Sequence, residues 1–202
     1  MRRDSISSEH YSFGRQDVGA VLVRHGHADI SALAEHGTVF TGARYDFVPL
    51  SACGRREADD AGAALATGGF RRIVSSPYTR ALETAARIAR QIDLEVVVDL
   101  RLHDWLPVRQ GSSQITEGDI AASTRAYEAC DGVPSTDDPG WESSERMWTR
   151  ASTSIADHTQ QGTEAVVVVT HEALIRVLVG AVAVPTGSIH PVTWPLVRPT
   201  PP

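Results

Sequence analysis

The stretch Ala165-Val166-Val167-Val168-Val169-Thr170-His171 decides the fold. Five apolar residues in a row read as a strand covered on both faces, because a strand with one wet face alternates polar and apolar positions. Such strands belong to parallel sheets, whose crossover connections place helices on both sides. Residues 172–184 follow with a helical pattern. Gly19-Ala20-Val21-Leu22-Val23 is a second run of this kind, stopping at Arg24-His25-Gly26, Arg72-Ile73-Val74-Ser75 is a third, and residues 95–100 a fourth. Helices are expected over residues 53–67, with Ser51 as the cap and Gly68-Gly69 as the stop. Further helices are expected over 78–91, after Pro77, and over 115–130 and 141–160. Strands alternating with helices predict an α/β fold, a three-layer α/β/α sandwich with a mainly parallel central sheet. One domain over 18–202 is expected behind a polar lead, 1–17. The proline-rich tail after Pro185 allows only a short edge strand. The connection over 26–50 is long for a compact domain, and long loops are often functional.

Composition narrows the chemistry. The 202 residues carry a net charge of −6, which gives no attraction for a nucleic-acid backbone or an acidic membrane surface. There is no lysine, so Schiff-base and Walker-type lysine chemistry are excluded. Cys53 and Cys130 lack zinc-site spacing and are expected to be reduced thiols. The polar lead has no apolar core of a signal peptide, and the longest apolar run, 177–184, is too short to span a bilayer. A cytoplasmic protein without nucleic-acid or membrane partners is expected.

Parallel strands bring their carboxyl ends to one edge, where ligands of open α/β sheets bind. Three strands end there in polar groups: Arg24-His25, Ser75-Ser76 ahead of Arg80, and Thr170-His171. Together with Pro49-Leu50-Ser51-Ala52-Cys53-Gly54 and Ser75-Ser76-Pro77-Tyr78-Thr79-Arg80-Ala81-Leu82-Glu83, these motifs stand in an order that resembles the histidine phosphatase superfamily, which includes the phosphoglycerate mutases. The resemblance spans residues 18–195. It implies that His25 is the nucleophile that carries the phosphoryl group, that Arg24, Arg80 and His171 hold the phosphate oxygens, and that no metal or cofactor takes part. The chemistry agrees, since phosphoryl transfer is mainly positioning and electrostatic stabilisation, and arginine donors match phosphate oxygens while staying charged.

The leaving alkoxide needs a proton. The family's acid follows the third strand in a Leu-x-Glu context, and by position Asp104 takes that place, with Glu83, Glu142 and Glu172 in reserve. Trp105 beside it is a candidate to exclude water from the carboxyl. Two departures stand out. Glu172-Ala173 replace the small residues usual after the second histidine, and Asp29 lies where mutases carry a polar pattern. Hydrolysis of a phosphomonoester, on a small phosphorylated substrate or a phosphoprotein, is therefore expected over transfer. Two other readings stand beside it: a degenerate phosphate-binding module without turnover, and a metal-dependent phosphoesterase built on His25, His27, Asp29 and His171.

Overall fold

The computed structural model describes residues 18–33, 44–108 and 115–199. The polar lead and parts of the 26–50 connection lie outside them. Five strands, β1 (Val18–Arg24), β2 (Arg72–Ser75), β3 (Val96–Val98), β4 (Val166–Thr170) and β5 (Ile189–Thr193), form one sheet in the order β3-β2-β4-β1-β5. The first four run parallel, and β5 pairs antiparallel with β1 as the short edge strand that the prolines permit.

Burial explains the apolar runs. Ala20, Leu22, Val74, Val166 and Val168 face one hydrophobic cluster, and Val21, Val23, Ile73, Val167 and Val169 face the other. Successive residues point to opposite faces, so both sides of the central strands must be covered. Helices α1 (Ala52–Leu65) and α2 (Thr79–Ile92) cover one side through Ala61, Leu65, Ala81, Ala85 and Ile88. Helices α4 (Ser144–His158) and α5 (Glu172–Val179) cover the other through Met147, Ala151, Ile155, Leu174 and Leu178. Each fully buried valine contributes about 1.5–3 kcal/mol of transfer free energy. The expected three-layer sandwich is thus observed.

Helix α3 (Glu117–Glu128) stands apart. It is closed by a Thr116–Asp119 capping box and buries none of its residues. Element ends differ from expectation by one to five residues, most at two helix ends. The last helix stops at Val179, not at residue 184, because Gly180 turns left-handed (φ 68°) and donates its N–H to Arg176 O at 2.8 Å. The helix expected from 141 begins at Ser144, where the Ser143 side chain accepts from Arg146 N. Among the described residues no helix is long and apolar enough to cross a membrane. Both cysteines are free thiols.

Candidate active site

The register sets the site. Arg24 pairs with Thr170, and Ser75 with both Val169 and Val98, so the carboxyl ends of β1 to β4 come level along one edge. Each of these strands delivers a side chain there. His25 follows β1, and its amide donates to Thr170 O at 3.0 Å. Arg80 lies in the first turn of α2, His171 precedes α5, and Asp104 follows a short 3-10 turn, Leu100–Leu102, behind β3.

The turn after His25 is fixed by glycines. A Cβ on Gly26 would strike Gly54 O, and one on Gly54 would strike His27 O, so the start of α1 packs backbone against backbone on this loop. Ser51 caps α1 by accepting from Gly54 N at 3.1 Å, and Gly26 N donates to Thr84 Oγ1 at 3.1 Å.

His25 Nδ1 lies 2.8 Å from Gly26 O and therefore carries the proton, which leaves the Nε2 lone pair facing Arg80 Nε at 3.1 Å. Burial, with the neighbouring His171 and Arg80, lowers the His25 pKa from 6.5 to about 3, so the imidazole is neutral. His171 is wholly buried and is held well below its ordinary value by that burial and by Arg80. Its Nε2 meets Ser76 Oγ at 2.7 Å, and its Nδ1 faces Arg80 at 3.3 Å and Asp104 at 3.4 Å. The two imidazoles stand edge to face, 5.1 Å apart.

Arg80 is the hub. Besides His25 it donates to Tyr45 O at 2.8 Å and to Asp104 Oδ2 at 2.9 Å, and its guanidinium lies over the Tyr78 ring. Asp104 also accepts from Trp105 N at 2.9 Å. Trp105 lines the cleft next to Asp104, with its indole donating to Glu142 O at 2.7 Å and packing edge to face on Tyr127. Arg24 lies at the rim, paired with Glu172 at 2.8 Å and with Val184 O, and its buried Nε has no hydrogen-bond partner among the described residues.

Arg24, His25, Arg80, Asp104 and Glu172 all line one open cleft of about 1580 Å³, with His171 beneath its floor and α3 along one wall. The five residues singled out in the sequence thus converge. The reserve carboxylates separate: Glu83 accepts from Leu50 N at 2.8 Å away from the cleft, Glu142 is buried against Arg150, and only Glu172 reaches the cleft. His27 is turned to Ser51 Oγ at 2.9 Å, and among the described residues no three histidine, cysteine or acidic side chains are grouped to hold a metal ion.

Sequence reasoning missed Asp46, Tyr45 and Arg150. Asp46 sits in the 3-10 turn Arg44–Phe47 and lines the cleft. Burial raises its pKa, against Arg80 and a hydrogen bond from Tyr78, which lower it. No motif marks that turn. Tyr45 offers its carbonyl to Arg80, a main-chain contact that side-chain identity does not reveal.

The model of the histidine phosphatase superfamily (branch 1) matches residues 20–192. No curated protein matches the chain. Among solved structures, mycobacterial hydrolase 1 is 24% identical, with a TM-score of 0.61 over 84% of this chain and 86% of that one, a likeness of fold. Native mycobacterial glucosyl-3-phosphoglycerate phosphatase is 26% identical, with a TM-score of 0.57 over 77% of this chain and 74% of that one. The same phosphatase in complex with VO3 is 25% identical, with a TM-score of 0.60 over 84% and 88%. The matched region runs from β1 to β5 and contains Arg24, His25, Arg80, Asp104 and His171, and the chain belongs to the histidine phosphatase superfamily.

Proposed function

We propose that the protein hydrolyses a phosphomonoester in two steps through a phosphohistidine on His25. One observation carries this reading: a neutral imidazole has its Nδ1 proton tied to Gly26 O and its Nε2 lone pair turned toward Arg80 at the floor of an open cleft. In the first step Nε2 attacks phosphorus, and the Arg80 donors pass to the phosphate oxygens. The ester P–O bond breaks, and its electron pair leaves on the alkoxide oxygen, which takes a proton from Asp104. Water then attacks phosphorus and gives a proton to Asp104. The P–N bond breaks, its electrons return to Nε2, and inorganic phosphate departs.

Arg24 and His171 complete the phosphate grip in this reading. His171 Nδ1 accepts a hydrogen bond while the imidazole is neutral, and an arriving dianion favours its protonated, donating form. The phosphatase likeness supports a small phosphorylated substrate, and a phosphoprotein fits the open cleft as well. The net charge of −6 gives no support for nucleic-acid or membrane partners.

The test is hydrolysis of an aryl phosphate by the wild type and His25→Ala, each with EDTA or vanadate. Activity that resists EDTA, yields to vanadate and disappears in His25→Ala is expected. Loss on chelation, or full activity in His25→Ala, sinks the reading. A second reading, phosphate binding without turnover, is favoured by one specific feature: Arg80 and Arg24 each already hold a carboxylate, Asp104 and Glu172. Tight vanadate binding with no turnover of any ester would mark it.

A further inference from the structure

Asp104 stands on a short irregular segment between the 3-10 turn and residue 108, where regular structure does not hold it. Its position is set from outside, by a buried ion pair. Arg150 and Glu142 keep only 14% and 6% of their side chains exposed, and Arg150 Nε meets Glu142 Oε1 at 2.6 Å. Arg150 Nη1 donates to Arg101 O at 2.6 Å and to His103 O at 2.8 Å, and Nη2 donates to Asp104 O at 3.2 Å and to Glu142 Oε2 at 2.8 Å. Glu142 grips the other end of the segment. Its Oε2 accepts from Leu106 N at 3.3 Å, its amide donates to Leu106 O at 2.9 Å, and its carbonyl accepts the Trp105 indole.

The clamp has a rigid base. Arg150 projects from α4 between Met147 and Ala151, both fully buried in the core. A planar guanidinium offers its donors in a fixed fork, so it sets directions as well as distances, which an ammonium group does not. Removing either partner would leave a buried charge and several unsatisfied carbonyls, and the segment would move to satisfy them.

We propose that Arg150 and Glu142 are positioning residues for proton transfer: they hold the 101–106 segment so that the Asp104 carboxyl reaches the leaving oxygen. This rests on the reading of Asp104 as the proton donor. A small displacement of a catalytic group is costly because the proton must pass across a single hydrogen bond. The loss falls only where a proton is needed. An alkoxide cannot leave unprotonated, whereas a nitrophenolate can.

The experiment compares kcat/KM for p-nitrophenyl phosphate and for glycerol phosphate in the wild type, Arg150→Met, Glu142→Gln and Asp104→Asn. The ratio kcat/KM covers the steps up to departure of the leaving group, so later attack by water does not enter. Arg150→Met and Glu142→Gln are expected to lose at least about tenfold on the alkyl ester and less than about threefold on the aryl ester, in the same sense as Asp104→Asn. Should Arg150→Met not fold, Arg150→Lys, which keeps the charge without the fork, is expected to show the same bias. Equal losses on both esters, or none, in the clamp variants while Asp104→Asn keeps its bias would overturn the inference alone. A wild type inactive on both esters, or an Asp104→Asn without bias, would instead overturn the assignment on which it rests.

Discussion

Glu172 places a carboxylate against the Arg24 guanidinium, 2.8 Å away at the rim of the cleft. It occupies a position where the family resemblance leads one to expect a small residue. In the proposed reaction a phosphate competes with that carboxylate for Arg24. Both side chains are partly exposed, so the competition is worth about 1 kcal/mol at most. Glu172→Gln is accordingly expected to tighten inhibition by phosphate and vanadate about fivefold. An unchanged or weaker inhibition constant would show that Glu172 orients Arg24 for the anion and does not compete with it. At this scale the sequence was legible where chemistry is local: His25, Arg80 and His171 stand beside strand ends and announce themselves. The partners that neutralise them did not, since nothing in the spacing of Arg24 and Glu172, or of Arg80 and Asp104, says that they meet.

Among the elements, the apolar runs made the strands readable because burial on both faces leaves no room for a polar residue. Helix ends were less readable, as at Gly180, where a left-handed turn stops a helix whose apolar pattern continues. The start of α1 bears most directly on activity. Gly54 touches the backbone of His27 so closely that a methyl group cannot enter without separating α1 from the His25 turn. Gly54→Ala is expected to cost about 2 kcal/mol by overpacking and to lower kcat/KM by displacing His25. Urea unfolding and steady-state kinetics on the same preparation check both, and a variant with wild-type stability and activity would refute the close packing. The Arg150–Glu142 clamp was illegible for a different reason: its contacts go mostly to main-chain carbonyls of residues far away in sequence.

For the molecule as a whole, buried and half-buried histidines make stability depend on pH. His25, His103, His171 and His190 are all shifted down, burial being the first cause in each. Below the unfolded value of 6.5 the unfolded chain binds protons that the native state refuses. Stability from these groups is thus complete above 6.5 and is lost as pH falls from there, for His25 down to about 3. Asp99 is shifted down although its burial works against this, because hydrogen bonds from Arg101 and Ser154 hold the carboxylate, so its contribution fades only at more acid pH. Each fully buried neutral histidine costs about 1 kcal/mol per pH unit below 6.5. Unfolding free energy is expected to drop by about 2 kcal/mol or more between pH 7.5 and 5.5, with a smaller drop in His25→Gln. A flat profile would mean that these imidazoles accept protons in the native state.

The place of β1 also has a consequence for biosynthesis. This strand is made first among the five, yet its two neighbours, β4 and β5, are made last. At about 5–20 residues per second, the ribosome needs roughly seven to thirty seconds after β1 emerges before β4 exists to pair with it. Throughout that interval Val21, Leu22 and Val23 have no native neighbour on either edge. A stalled or truncated chain ending ahead of residue 166 would keep that apolar ribbon open indefinitely, as a substrate for chaperones or a seed for aggregation.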